Sequence, residues 1–284
     1  MKKILITGKN SYIGTSVENW LKASNDDYDI TSIDMKNGSW KQHDFSKYDV
    51  VLHVAGIAHV STNHSLDDLY YSVNRDLAIA TAHKAQASGV KQFIFMSSGI
   101  LYGIDEPIGT EVMIDRNYTP HPFTAYGKSK LQADTEIANL NSDTFKTVCI
   151  RTPMVYGKGC KGNFQLLRKY ANKLVILPQI NNCRSMIHIE NLANFIKIRI
   201  DNGDGGIFWP QNAEYISTNQ IVKEIRRIHG KKTRYSVILA DIVKLASKFI
   251  PKFRKIYGNL AYDRSLSTSE YIVNDFSSSI KKSI

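Results

Sequence analysis

Hydrophobic positions in the first half of the chain fall into short continuous runs that alternate with amphipathic stretches. Lys3–Thr7 holds Ile4, Leu5 and Ile6 without a polar break, the pattern of a parallel strand covered on both faces. Gly8–Gly14 reads as a turn, and Tyr12–Ala23 places Ile13, Val17, Trp20 and Leu21 at helical spacing. Further strands are predicted at Tyr28–Ile33, closed by Asp34, and at Asp49–Ala55. A helix follows over Leu69–Ser88 with Gly89 as its stop. Gln92–Met96 and Lys146–Arg151 are strands again, flanking a helix at Ala125–Asn139. Strands alternating with helices predict βαβ units and a doubly wound, mainly parallel α/β sheet. After about Thr152 the pattern loosens. Glycines cluster at 157–162 and 203–206, with short helices expected at Asn163–Ala171, Asn191–Ile200, Thr218–His229 and Leu239–Phe249 and a strand at Ser185–Ile189. The expected organisation is one sheet domain over 1–155, with some later segments returning to it, and a smaller α/β lobe over 156–284.

Composition narrows the class. At 284 residues, 43% hydrophobic and 22% charged, the chain has globular proportions. No apolar run approaches the ~20 residues that span a bilayer, and Ile4–Ile6 is too short for a signal-peptide core. Cys149, Cys160 and Cys183 are sparse, odd in number and lack metal-ligand spacing, as expected of free thiols in a reducing cytoplasm. The formal charge is +11, which favours anionic partners.

Gly8 and Gly14 bracket a turn between a strand and a helix. There a dinucleotide needs a tight turn, close backbone approach to its pyrophosphate, and a helix N-terminus facing the anion. Ser11 stands where the usual pattern has its middle glycine; it is small, and its hydroxyl is able to bond phosphate. Asp34 ends the second strand, twenty residues after Gly14. A carboxylate there would bond the ribose hydroxyls and favour NAD, whereas Lys36 beside it would suit the 2′-phosphate of NADP. Asp44 and Phe45 follow as adenine contacts or as a plain turn.

Tyr126 and Lys130 stand four apart, on one helix face. A phenol of pKa near ~10 is a poor acid–base group at neutral pH, and a nearby ammonium brings it towards working range. Ser97 and Ser98, at the carboxyl end of the Gln92–Met96 strand, are suited to fix a substrate oxygen.

These motifs, with Leu52-His53-Val54-Ala55-Gly56, Asn74, Leu101-Tyr102-Gly103, Arg151–Gly157, Gly162-Asn163-Phe164 and Arg184–Ala193, resemble the extended short-chain dehydrogenases. These are the NAD-dependent sugar-nucleotide epimerases, dehydratases and reductases of Rossmann fold. The second half looks most like the capsule-cluster reductases that form UDP-N-acetylfucosamine. The resemblance implies an NAD or NADP cofactor held by Gly8, Ser11, Tyr12, Ile13, Gly14, Asp34, Asp44, Phe45, Ala55, Gly56, Asn74 and Ser97. It adds Tyr126, Lys130, Pro153 and Val155 around the nicotinamide end. It also implies Ser98 on the sugar C4 oxygen, Tyr126 exchanging its proton, Lys130 tuning Tyr126, and Asn163 and Arg184 on the UDP diphosphate. A surface role for Arg184 stays open. A dimer through paired helices is the family expectation.

The leading functional expectation is reduction of a UDP-4-keto-6-deoxy-N-acetylhexosamine at C4 in surface-polysaccharide synthesis. NAD-dependent 4-epimerisation of a UDP-hexose uses the same residues, and a non-catalytic dinucleotide-binding regulator is a third class. Among the eight histidines, His59 and His64 lack partners at ligand spacing, so no metal is expected. Between Lys223 and Arg264 basic residues outnumber acidic ones twelve to three. With Ile242, Leu245, Ala246, Phe249 and Ile250 at helical spacing, this segment suits weak association with an anionic membrane surface. A lobe or dimer helix with solvated lysines is the plainer alternative. No recognition motif points to nucleic acid.

Overall fold

The computed structural model describes residues 1–24, 26–58 and 64–284. In chain order the regular elements begin with β1 (Lys2–Thr7), α1 (Tyr12–Ala23), β2 (Tyr28–Ile33), β3 (Val50–His53), α2 (Asp67–Tyr70), α3 (Leu77–Ala87), β4 (Gln92–Ser98), β5 (Met113–Ile114), α4 (Ala125–Asn139), β6 (Lys146–Thr152) and β7 (Met154–Tyr156). They continue with α5 (Asn163–Ala171), β8 (Ile176–Pro178), β9 (Met186–His188), α6 (Ile189–Asn202), β10 (Gly206–Phe208), α7 (Thr218–Ile228), β11 (Arg234–Ser236), α8 (Val237–Ala246), α9 (Pro251–Tyr257), β12 (Ala261–Tyr262) and α10 (Phe276–Ser283).

Two compact units result. The first comprises residues 1–103, 119–153 and 192–210; the second comprises 104–118, 154–191 and 211–284. The first holds a six-stranded sheet in the order β10-β6-β4-β3-β1-β2, parallel throughout. This is the doubly wound architecture expected from the alternation of strands and helices. Ile4, Leu5, Val51, Leu52, Phe93, Ile94, Phe95, Val148 and Ile150 are wholly or almost wholly buried, because helices cover both faces of a parallel sheet. Strand order reverses between β1 and β3, and the crevice at the carboxyl ends of such a pair is where open α/β sheets bind ligands.

The predicted Leu69–Ser88 helix is not uniform. Between α2 and α3 it widens into a π-helical stretch, Tyr71–Asp76, a form that concentrates at functional sites. The sixth strand, β10, was not expected; it comes out of the 203–206 glycine cluster and pairs with Val148–Ile150.

The second unit is built from two-stranded pairs, β5 with β12, β7 with β9 and β8 with β11, and from α5 and α7–α10. Helix α7 opens with a full capping box, Ser217 with Gln220, which satisfies two terminal N–H groups reciprocally. Its Arg226 guanidinium donates to the carbonyls of Ala171, Leu174 and Lys232. The serine-rich tail forms α10, started by the Asp275 carboxylate on Ser278 N.

Candidate active site

The loop after β1 lies directly against the loop after β3. Gly8 has φ +101°, and a Cβ there would stand 2.9 Å from Ala55 N, so both the conformation and the contact demand glycine. Ser11 caps α1, its hydroxyl accepting from Gly14 N at 3.1 Å. A Cβ on Gly14 would press on that hydroxyl at 2.6 Å and on Val54 at 2.9 Å. Ser11 therefore replaces the usual glycine by serving as the helix cap. The first turn of α1 has no acidic side chain, which leaves the positive end of the helix open to an anion. Tyr12 and Ile13 are half-buried in that turn.

Asp34 is exposed at the end of β2, its carboxylate accepting from Lys36 N at 2.8 Å. Asp44 caps the short turn after it, accepting from Ser46 N. Phe45, expected as an adenine contact, is instead 1% exposed within the apolar core of Leu5, Val51, Phe93 and Phe95. Its ring is used to fill the core under Lys84, 5.1 Å away, and offers no face to a ligand.

Asn74 lies inside the π-helical stretch, wholly buried. It accepts from Ile57 N at 2.9 Å and donates to Ile57 O at 3.0 Å, fixing the chain just beyond Ala55-Gly56. A Cβ on Gly56 would lie 3.0 Å from the Asn74 amide oxygen and 3.5 Å from Lys130 Nζ. Asn74, Gly56 and Lys130 thus converge at one point.

Helix α4 begins at Thr124, whose hydroxyl accepts from Gly127 N, so Tyr126 lies in the first turn and Lys130 one turn on. The Tyr126 ring packs on Tyr70 at 5.5 Å. Burial raises its pKa, while hydrogen bonding from Ser98 works against that shift. The Ser98 hydroxyl also accepts from Ile100 N at 3.3 Å. Lys130 is buried, donates to Met96 O at 2.9 Å and sits 4.6 Å over the Phe95 ring. Burial lowers its pKa to about 8, partly offset by the Asp134 charge. Burial is the largest cause of the Tyr126 shift, ahead of Ser98 and Tyr70, and the Lys130 ammonium is turned to the β4 carbonyl. Ser97 Oγ is buried without a partner among the described residues.

Of the neighbours around the site, Asp134 was not singled out by the sequence, and Arg151 and His53 entered only as parts of longer motifs. Asp134 on α4 is wholly buried and pairs with Arg151 of β6, Nη2 to Oδ1 at 2.6 Å. Arg151 Nη1 donates to Tyr102 OH at 3.1 Å. Burial works to lower Arg151, but the Asp134 bonds and charge overcome it and hold it above its ordinary value. His53, at the end of β3, stacks near Phe93 and Phe95 and shares a 2.8 Å bond with Thr7 Oγ1. Burial and Lys130 push it down to about 3, so it is neutral. Only its place in the Leu52–Gly56 motif marked it.

Pro153 is buried in the first unit. In the second, Val155 is half-buried and pairs in register with Ile187. Asn163 is exposed at the start of α5, where Gly162 gives no side-chain cap. Arg184, expected on the diphosphate, has one of its nitrogens held by backbone carbonyls. Its Nη1 donates to Lys255 O at 2.7 Å and Ile256 O at 3.3 Å, carbonyls at the end of α9 that need donors. Among the described residues no group of three or more His, Cys, Asp or Glu is placed to hold a metal. His59 and the side chain of His64 lie outside what is described. No described helix is long and apolar enough to cross a membrane.

The NAD dependent epimerase/dehydratase family matches residues 4–208, and the chain belongs to that family. It is 29% identical to a UDP-glucose 4-epimerase of Vibrio cholerae over 88% of this chain and 83% of that one. It is 27% identical to the N-acetyl-alpha-D-glucosaminyl-diphospho-ditrans,octacis-undecaprenol 4-epimerase of Escherichia coli O157:H7, over 81% and 73%. The fold matches a dTDP-4-dehydrorhamnose reductase from Clostridium acetobutylicum at a TM-score of 0.75 and 20% identity, covering 99% and 98%. The protein is an NAD(P)-dependent enzyme. Its own residues fit such a cofactor: an α1 N-terminus free of acidic side chains, a carboxylate ending β2, and a buried ammonium using one of three donors.

Proposed function

We propose that this enzyme interconverts the C4 epimers of a UDP-linked hexose or N-acetylhexosamine on a bound NAD. The observation that carries the reading is the exposed Asp34 carboxylate ending β2. It suits the two ribose hydroxyls and repels a 2′-phosphate. An epimerase returns its NAD to the starting state in each cycle and needs no reduced cofactor from outside. The names of the two curated relatives reported above, both 4-epimerases, support it.

Ser98 donates to the C4 oxygen and orients it. Tyr126, as phenolate, would take the O4 proton as C4 is oxidised to the ketone, and would return it after the ketosugar turns over, so no net redox change results. The bound nicotinamide supplies the hydride acceptor and donor. Lys130, with two N–H donors not used by Met96 O, would hold the ribose and stabilise the phenolate. Gly8, Ser11 and Gly14 would meet the pyrophosphate, and Ala55, Gly56, Asn74, Ser97 and Pro153 would border the rest of the cofactor. Within the second unit, Asn163 and the Nη2 and Nε groups of Arg184 are the proposed diphosphate ligands.

A second reading is reduction of a UDP-4-keto-6-deoxy-N-acetylhexosamine. The raised Tyr126 pKa favours it, since a protonated phenol is the form that donates to a developing alkoxide. One experiment separates the two. Purified enzyme is given UDP-glucose or UDP-N-acetylglucosamine with NAD only, and products are followed by NMR; the galacto epimer is expected. No epimer, but stoichiometric oxidation of NADPH or NADH with the 4-keto-6-deoxy sugar, would replace epimerisation by reduction.

A further inference from the structure

Helix α8 carries two apolar stripes, and only one of them is used. The inner face, Ala240 and Val243, is buried against Ile180 and Tyr257, with Ile108, Phe253 and Ile256 around them. The outer stripe is Ile238, Ile242 and Leu245, carried on by Phe249 in the turn just past the helix, at positions i, i+4, i+7 and i+11. These side chains are 75%, 57%, 60% and 81% exposed. A helix that only had to cover a core would be polar there. Val237 and Tyr235, at its N-terminal end, are also exposed.

Charge lines the same face. Lys248, in the turn just past α8, lies beside the stripe, Lys244 lies farther round the helix, and Lys252 follows on α9, all exposed. Over residues 237–257 there are five basic residues and one acidic, Asp241. Asp241 is 3.9 Å from Lys244, and Arg254 is held by Asp105. Lys248 and Lys252 have no carboxylate within ion-pair distance among the described residues.

We propose that the outer face of α8 seats this protein on an anionic lipid bilayer. Aliphatic and aromatic side chains on one face with lysines beside them are what an interfacial helix needs. The apolar residues enter the acyl boundary and the lysines meet the headgroups. A second copy of the chain is the poorer occupant. A two-fold contact would set the same lysines against one another, with one aspartate per copy to relieve them. The proposal does not depend on the reaction assigned above, and none of these residues is in the catalytic or cofactor set.

The test is flotation of the full chain with phosphatidylcholine vesicles, with and without phosphatidylglycerol, at low and high salt. Binding is expected only with the anionic lipid and only at low salt. Ile238→Ser/Phe249→Ser should abolish it. Lys248→Gln/Lys252→Gln should weaken partition about fivefold per lysine removed. Unchanged thermal melts and dinucleotide binding show that each variant is folded. Absence of flotation at low salt, equal flotation with neutral vesicles, or flotation surviving the Ser variant would each overturn the proposal. So would a dimer in light scattering that the Ser variant abolishes, without flotation of the wild type.

Discussion

Replacing Asp134 with asparagine tests how the catalytic helix is held. The Asp134 carboxylate is wholly buried and accepts three contacts from Arg151, Nη2 at 2.6 Å and Nε at 3.2 and 3.3 Å. At an effective dielectric near 20, unit charges about 4 Å apart attract by roughly 4 kcal/mol. Removing one partner of a buried pair leaves the other charge uncompensated, typically at 3–5 kcal/mol, or ~4 kcal/mol here. An asparagine oxygen can still accept from Nη2, which places Asp134→Asn towards the lower end, about 3 kcal/mol. At roughly 2–4 °C per kcal/mol for chains of this size, melting should fall by about 6–12 °C. The assay is urea unfolding followed by circular dichroism at pH 7, alongside a thermal melt. A double variant, Asp134→Leu/Arg151→Met, removes both charges and should recover most of the loss, because buried pairs often exchange neutrally for apolar residues. The Tyr102–Trp209 hydrogen bond, Nε1 to OH at 2.5 Å, remains in that variant. Asp134→Asn within about 1 kcal/mol of wild type would refute the reasoning, since exposed pairs are worth that little.

Tyr126→Phe should lower turnover by about 10²–10⁴-fold while leaving dinucleotide affinity nearly unchanged, measured by product NMR and by titration with NAD. For Lys130, burial depresses the pKa from 10.5 to about 8. Between those values the unfolded chain holds a proton that the folded chain lacks, so stability rises with pH by about 3 kcal/mol. Dinucleotide-free Lys130→Met should show a correspondingly shallower rise between pH 8 and 10.5 in urea unfolding; equal slopes would remove the assignment. His53 is depressed from 6.5 to about 3, so the folded state stays neutral while the unfolded state protonates as pH falls. Relative to His53→Asn, the wild type should lose about 2 kcal/mol between pH 7 and pH 5, and its imidazole NMR shifts should not titrate there.

The strands β1, β3, β4 and β6 were legible because their apolar runs are continuous, and α4 because its cap and spacing are local. The family motifs marked Ser98, Tyr126 and Lys130 for the same reason. What escaped depends on contacts distant in sequence. β10 is a three-residue strand whose existence rests on pairing with β6, over fifty residues earlier. The π-helical stretch keeps an α-like hydrophobic pattern, so nothing in Leu69–Ser88 announces the extra residue in its turn. Phe45 follows Asp44 in a polar stretch, yet β3 and α3 cover it. Asp134 and Arg151 belong to separate elements, and their pairing is decided by how α4 lies on β6. Lys130 shares a face with Tyr126 as predicted, but its flexible stem lets the ammonium choose the Met96 carbonyl.

The first unit is assembled from three pieces of chain, and its last strand, Gly206–Phe208, pairs with β6. During synthesis that strand is made only after residues 154–191, which belong to the other unit. At about 5–20 residues per second, the stretch from the end of β6 at Thr152 to the end of β10 at Phe208 takes roughly 3–11 s to make. Through that interval β6 is an open edge of a nearly complete sheet, able to template pairing with another chain. Truncations near residue 160 should therefore aggregate rather than yield an isolated nucleotide-binding fragment, and the order of emergence from the ribosome makes this edge a natural client for chaperones.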